Sequence, residues 1–240
     1  SFNIWKSLGV SEEKIAKLPK NDNWWGPVGK TGPCGPDTEM FYWTDNAIPP
    51  PTDFQNTHGD SRWVEVWNDV FMEYNKTESG GYKILKQKNV DTGMGLERMA
   101  MIMQSKNSVY ETDLFQPLVV KIKSKISNLK SESENLKSVR IIADHIKAAT
   151  FIIASGVVPS NTGRGYVLRR LIRRARYYYD SIGGQDKPLG FIVEDVAKIY
   201  KDVYPELFER KNNIDEIITS EEDLFRGHLM FGKKFLEKII

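Results

Sequence analysis

The hydrophobic pattern of this 240-residue chain changes its period near residue 95, and this change constrains the fold more than any other feature. Three segments before that point alternate apolar and polar residues, as half-buried β-strands do: 39–45, 63–75 and 82–88. After Asp113, apolar residues recur with the helical period of about 3.6. The sequence therefore predicts an α+β chain, in which an antiparallel sheet backed by a helix at 95–104 is followed by an all-helical region.

The junction between the two patterns is the run Val-Asp-Thr-Gly-Met-Gly-Leu-Glu-Arg-Met-Ala at 90–100. The two glycines allow the backbone to approach a ligand closely, and Arg98 would present a fixed guanidinium from the first turn of the following helix. This combination favours a polyphosphate site. The alternative is a plain strand-to-helix turn in which Arg98 forms a surface ion pair with Glu97.

Three further segments have unusual patterns. Glycine and proline are dense in 22–27 and 29–42, which predicts a loop of one defined shape. The strand at 63–74 carries one amide, Asn68, inside an otherwise apolar face. Residues 157–174 contain a Pro-Ser-Asn-Thr-Gly turn followed by an arginine-rich amphipathic helix.

These segments, in this order and together with Arg-Ile-Ile-Ala-Asp-His-Ile at 140–146, resemble the alanyl-tRNA synthetases, a family of class II aminoacyl-tRNA synthetases. The resemblance implies a class II synthetase-type antiparallel sheet with helices. It also implies two domains. Residues 1–130 would form the C-terminal part of the alanine- and ATP-binding catalytic domain, and residues 131–240 a helical tRNA-recognition domain.

Nothing before Asn21 resembles motifs 1 and 2 of that family, and no segment resembles its zinc-binding editing domain. The resemblance therefore implies half of an activation site, so the isolated chain is expected to be inactive or weakly active. A missing N-terminal part of the catalytic domain would then be a partner. Two rival functions remain open: a non-catalytic tRNA-binding fragment or split subunit, and a paralogue that activates an amino acid for a carrier protein. The arginine helix argues against the second.

The resemblance assigns an alanine pocket. Asp91 would bind the amino group, Gly93 would form the floor, and Asn68 would contact the substrate. The implied alanine-binding residues are Trp25, Asn68, Val70, Asp91 and Gly93. Each has a structural alternative: Asp91 as a helix N-cap, Trp25 as core packing, and Asn68 as a partner of backbone groups. At position 37 this chain has Asp37, where members of the family usually have a small residue or one with a thiol group.

The resemblance also assigns an ATP site, formed by Gly93, Gly95 and Arg98, in which Arg98 would bind the γ-phosphate. Glu39 could face ATP or magnesium, or be solvated. Adenylate formation depends on positioning and charge neutralisation, so Arg98 and Asp91 would be the catalytic residues and no general base is needed. Mg²⁺ would arrive with ATP.

The helical region would bind tRNA(Ala). Members of the family recognise a G·U wobble pair in the acceptor stem, which is accessible from the shallow minor groove of A-form RNA. The amide of Asn161 both donates and accepts hydrogen bonds, as recognition of a base pair requires. The alternative is that Asn161 caps the arginine helix or forms an Asx-turn. Four arginines would bind phosphates, unless they are solvated or paired within the protein: Arg169, Arg170, Arg173 and Arg174.

Composition limits the other functional classes. The formal net charge is only +2, yet residues 163–179 contain six arginines and no acid, which indicates a local polyanion-binding surface. Cys34 is the single cysteine, and with three scattered histidines it provides no plausible zinc tetrad, so we expect no metal site. No apolar run approaches the length of a membrane span, and we expect a cytoplasmic protein without membrane contact.

Overall fold

The computed structural model describes residues 1–27, 29–45, 47–126, 132–184 and 188–239. The chain forms two compact units, Ser1–Thr112 and Asp113–Ile240. We call them the sheet unit and the helical unit. The α+β class, with an antiparallel sheet followed by helices, is confirmed.

The sheet unit contains antiparallel strands in the spatial order β1-β2-β3-β4. The strands are β1 Trp24–Trp25, β2 Gly32–Trp43, β3 Trp63–Lys76 and β4 Tyr82–Met94. The helices of this unit are α1 Phe2–Ser7, α2 Phe54–Thr57 and α3 Leu96–Met103. Residues 77–81 form the turn between β3 and β4, as the sequence predicts.

Two strands are longer than the sequence predicts. β2 begins at Gly32, so part of the segment predicted as a loop is paired in the sheet. Gly35 explains this difference, because a Cβ atom there would lie 1.8 Å from the carbonyl oxygen of Phe71. Only glycine permits such a close approach of the two strands. β4 continues past residue 88 to Met94, so the first glycine of the Gly-x-Gly run is a strand residue.

The helical unit contains the following helices: α4 Gln116–Lys123, α5 Glu132–Ala154, α6 Gly163–Ser181, α7 Val193–Tyr200, α8 Pro205–Glu209 and α9 Lys211–Leu236. The apolar stripes of α5 and α6 pack against each other and form the core of the helical unit. Their fully buried residues include Ile142, Ile146, Leu168 and Ile172. Gly156 follows α5 with φ +90°, the left-handed conformation typical of a helix C-terminus.

The polar sequence at 130–137 predicts a linker, but part of this run lies outside the described residues and from Glu132 onward it is helical, so the linker prediction is wrong there. Helix α4 packs against α5 within the helical unit. The compact units therefore divide after Thr112, whereas the functional boundary at residues 130 and 131 stays a prediction. No helix among the described residues is long and apolar enough to span a membrane.

Candidate functional site

The antiparallel register brings most of the predicted alanine-binding residues onto one face of the sheet. Residues directly opposite each other in an antiparallel pair point to the same side. Two rows that cross β2, β3 and β4 therefore share one face, which we call the polar face: Glu39, Asn68 and Gly93, and Asp37, Val70 and Asp91. Trp25 lies on β1 opposite Gly35, which is two residues before Asp37 in β2, and is 37% exposed.

Hydrogen bonds order the side chains of the polar face. The Nδ2 atom of Asn68 donates to Oε1 of Glu39 at 2.8 Å, and Nδ2 of Asn23 donates to Oδ1 of Asp37 at 3.3 Å. The Oδ1 atom of Asn68 is buried and has no hydrogen-bond partner among the described residues. A buried acceptor of this kind costs free energy until a donor reaches it. The polar face thus offers an acceptor to an incoming N–H group.

A β-bulge adds another carboxylate to this face. Phe41 lies opposite Glu65 although Met40 lies opposite Trp67, so Val66 is an extra residue in β3. The extra residue shifts the alternation of β3 by one position. Glu65 therefore points to the side of the polar face, whereas strict alternation places it on the opposite side. The sequence carries no signal for this shift.

The polar face holds an excess of negative charge. Partial burial, followed by the nearby carboxylates of Glu65, Asp37 and Asp22, raises the pKa of Glu39 to about 7. Burial also raises the pKa of Asp37, and hydrogen bonds from Asn23 and Asn68 partly offset that shift. Each carboxylate makes its neighbours harder to ionise. A cationic ligand would relieve this repulsion, so the face suits an ammonium group.

Asp91 and Gly93 lie at the open edge of the polar face. Asp91 is an exposed strand residue, and the N-cap of α3 is Gly95, so the capping alternative for Asp91 is excluded. A Cβ atom added at Gly93 would meet no atom of the described structure within 4 Å. The protein's own packing therefore does not require a glycine at this position. Space remains there for a ligand to contact the backbone.

Arg98 extends from the start of α3 toward β3. Its Nη1 atom donates to the carbonyl oxygen of Glu65 at 2.7 Å and lies 3.4 Å from Oε2 of the same residue. Gly95 makes room for it, because a Cβ atom there would lie 3.2 Å from Cδ of Arg98. The backbone N–H of Gly95 donates to the carbonyl of Val66, which joins the turn to the bulge. The ion pair of Arg98 is therefore made with β3, while its side chain stays 49% exposed.

In the helical unit, the predicted phosphate-binding arginines of α6 fall into two pairs. Arg169 and Arg173 approach Oε1 of Glu221 on α9 at 3.3 and 2.6 Å. Arg170 and Arg174 are exposed, and neither has an ion-pair partner in the part of the chain that the structure describes. The pair expected to contact phosphates is thus Arg170 and Arg174.

Asn161 lies in the exposed turn before α6. The N-cap of this helix is Thr162, so Asn161 is not the cap. Its Oδ1 atom accepts a hydrogen bond from Nη1 of Arg169. Sequence reasoning missed Glu221, although a signal existed. Ile214 and Ile218 of α9 are buried core residues, and Glu221 continues the same helical stripe, where an acid needs a basic partner.

No group of three or more His, Cys, Asp or Glu side chains among the described residues is arranged to hold a metal ion. Arg98 offers a half-exposed guanidinium, which suits a nucleotide phosphate, and no atom of the described structure fills the space over Gly93. Any magnesium ion would then be held mainly by the phosphates.

Comparisons with known proteins identify the family to which the chain belongs. The family model described as "tRNA synthetases class II (A)" matches residues 1–240. The alanine–tRNA ligase of Borrelia hermsii is 46% identical over 244 residues, which is 99% of this chain and 40% of the relative. The alanine–tRNA ligases of Fervidobacterium nodosum and Thermotoga petrophila are 42% and 43% identical, with 100% of this chain and 28% of each relative covered. The chain therefore spans less than half the length of these curated relatives.

Proposed function

Because the chain belongs to the class II (A) tRNA synthetases, we propose that it is a segment of an alanine–tRNA ligase. In this function, ATP activates alanine, and the alanyl group is transferred to the acceptor end of tRNA(Ala). The sheet unit would bind alanine and ATP, and the helical unit the acceptor stem. The cysteine content agrees with activity in the cytoplasm.

The single observation that carries this proposal is the polar face. Asp91 supplies an exposed carboxylate for the ammonium group of alanine, and Oδ1 of Asn68 supplies a second acceptor. Val70 is buried opposite Asp91 and Gly93 contributes no side chain, so an apolar group and bare backbone lie beside the carboxylate. A methyl side chain suits such a site.

The phosphates of ATP would lie at the other end of the Gly-x-Gly turn. Arg98 is held by Glu65 on one side and exposed on the other, so its remaining N–H groups can donate to phosphate oxygens. Attack of the alanine carboxylate on the α-phosphate then depends on the relative positions of the two substrates. Residues of this chain contribute by holding the ammonium group and neutralising phosphate charge.

In the helical unit, Asn161 would contact the minor groove of the acceptor stem at the G·U pair. Arg170 and Arg174 are one helical turn apart on an exposed face, which suits contacts to successive phosphates. Phosphate contacts set the position of the RNA, whereas the amide discriminates between base pairs.

Substitution of Asp91 by Asn tests the alanine site. The assay is alanine-dependent ATP–pyrophosphate exchange by the longest polypeptide in which these residues occur. Loss of a charge-assisted bond of about 1.5–3 kcal/mol corresponds to a KM for alanine raised roughly 10- to 150-fold, with the KM for ATP nearly unchanged. Asp69→Asn is the matched control, because Asp69 lies opposite Thr92 on the other face of the same strands. Equal losses for alanine and ATP would give Asp91 a structural role instead.

A further inference from the structure

One buried carboxylate of α9 contacts the arginines of α6. Glu221 of α9 is 3% exposed, and its Oε1 atom lies 2.6 Å from Nε of Arg173 and 3.3 Å from Nε of Arg169. The contact with Arg173 is an aligned hydrogen bond, whereas the contact with Arg169 is an ion pair. A buried carboxylate needs such partners, since an unpaired one is strongly destabilising. Glu221 therefore holds both guanidinium groups against α9.

Arg169 extends this contact to the surface. Its Nη1 atom donates to Oδ1 of Asn161 in the turn before α6. This contact fixes the orientation of the Asn161 amide, because a guanidinium has donors only and must therefore face the amide oxygen. The Nδ2 group of Asn161 is thereby turned away from Arg169. Its two N–H groups are left for acceptor atoms of a ligand.

The backbone of the same turn is held separately. The N–H of Ser160 donates to the carbonyl of Gly165 at 3.1 Å, and a Cβ atom at Gly165 would lie 2.4 Å from the carbonyl oxygen of Val158. The turn therefore packs directly on the first turn of α6. The backbone position of Asn161 thus depends on Gly165, whereas the direction of its side chain depends on Arg169.

We propose that Glu221 is a positioning residue for RNA recognition, which acts through Arg169 to set the direction of the Asn161 amide. This inference rests on the proposed role of Asn161 in reading the acceptor stem. Glu221 touches no RNA in this arrangement. It converts Arg169 from a general phosphate-binding cation into a support for the one amide that discriminates between base pairs, and it leaves phosphate binding to Arg170 and Arg174.

The test measures the affinity of the full chain for two synthetic RNA hairpins. Both reproduce the acceptor stem of tRNA(Ala), and they differ only in carrying a G·U or a G·C pair at the recognised position. Asn161→Ala should lower the preference for the G·U hairpin by about fivefold or more, as loss of a base contact does. Glu221→Gln should lower the same preference by about threefold or more, a usual coupling between residues of one hydrogen-bond network. Its affinity for the G·C hairpin should stay nearly unchanged.

Two further variants isolate the mechanism. Adding Glu221→Gln to Asn161→Ala should cause no additional loss of preference, because both act on one amide. Glu216→Gln is the matched control, since it removes one charge from an exposed position of the same helix. If the Glu221→Gln variant fails to fold, as a thermal unfolding measurement would reveal, the Arg169→Met variant is tested in its place. That variant breaks the contact with Asn161 and leaves Arg173 on Glu221.

The outcomes separate this inference from the function on which it rests. If Asn161→Ala leaves the preference unchanged, the base-reading function fails. If Asn161→Ala lowers the preference but the folded Glu221→Gln and Arg169→Met variants do not, the positioning role of Glu221 is overturned. Equal losses for both hairpins in Glu221→Gln would likewise overturn it, because they would indicate a general structural role.

Discussion

Glu39 in the sheet unit and Glu222 in the helical unit each have a pKa raised to about 7, and burial is the main cause for both. Their surroundings differ. Further carboxylates, with Glu65 first, add to the rise at Glu39. At Glu222, the N–H of Leu189 and the guanidinium of Arg176 oppose the rise.

This difference separates charges that the fold itself compensates from charges that we propose to interact with a ligand. Arg176 is fully buried and bonds to Glu222, Asp180 and the carbonyl of Gly184, so the helical unit satisfies its own buried charge. No cation of the described structure contributes to the pKa shift of Glu39. Apart from the pairing of Arg98 with Glu65, charge compensation at the polar face would therefore come from a bound cationic group.

The strongest test of this contrast removes the internal cation of the helical unit. Arg176→Ala should lower the free energy of unfolding by about 3–5 kcal/mol, because it leaves Glu222 buried without its partner. Arg170→Ala, on the exposed face of the same helix, should change it by less than about 0.5 kcal/mol. Urea unfolding followed by far-UV circular dichroism measures both. A change below about 1 kcal/mol in Arg176→Ala would contradict a fold-building role for the pair.

Two glycines give a second test. Gly165→Ala should cost about 1–3 kcal/mol of stability, because the added Cβ would lie 2.3 Å from Oγ of Ser160. Gly93→Ala should alter stability by less than about 0.5 kcal/mol, since no atom of the described structure lies near its Cβ. It should nevertheless raise the KM for alanine in the pyrophosphate exchange assay. Reduced stability of Gly93→Ala with an unchanged KM would show that this glycine serves packing.

The two arginine pairs of α6 offer a third test, through the salt dependence of RNA binding. Arg174→Ala should reduce the slope of log affinity against log salt concentration by about 0.7–0.9, because one phosphate contact is lost. The loss should be similar for the G·U and G·C hairpins. Arg173→Ala serves as the comparison, and its slope should change less, since Glu221 already neutralises Arg173. Equal changes in slope for Arg174→Ala and Arg173→Ala would indicate that both arginines contact phosphates.

The smallest expected effect is a change in how the stability of the sheet unit depends on pH. Glu39 has a folded pKa of about 7 and an ordinary value of 4.5, so the folded state holds its proton more tightly than the unfolded state. Its contribution to stability is present below about pH 4.5 and declines as the pH rises toward 7. Glu39→Gln should therefore flatten this decline. All six tryptophans lie in the sheet unit, so thermal unfolding followed by tryptophan fluorescence reports on it. An unchanged pH profile would count against the charge excess of the polar face.

The sequence alone predicted much of this arrangement, because hydrophobic period and glycine positions are local properties. The change of period near residue 95 separated strands from helices, and the register of β3 and β4 places Asn68 beside Gly93. Membership of the class II synthetases confirms the resemblance found in the motifs. The roles of individual site residues stay predictions, tested by the substitutions above.

The tertiary structure decided which charged groups meet. The bulge at Val66 turned Glu65 toward the polar face, because register depends on how two strands pair and not on the alternation within one. The arginines of α6 look equivalent in sequence, but packing against α9 selected Arg169 and Arg173 for Glu221. These contacts join residues 48 or more positions apart. Helical period indicates which residues share a face, whereas only the packed structure shows what that face touches.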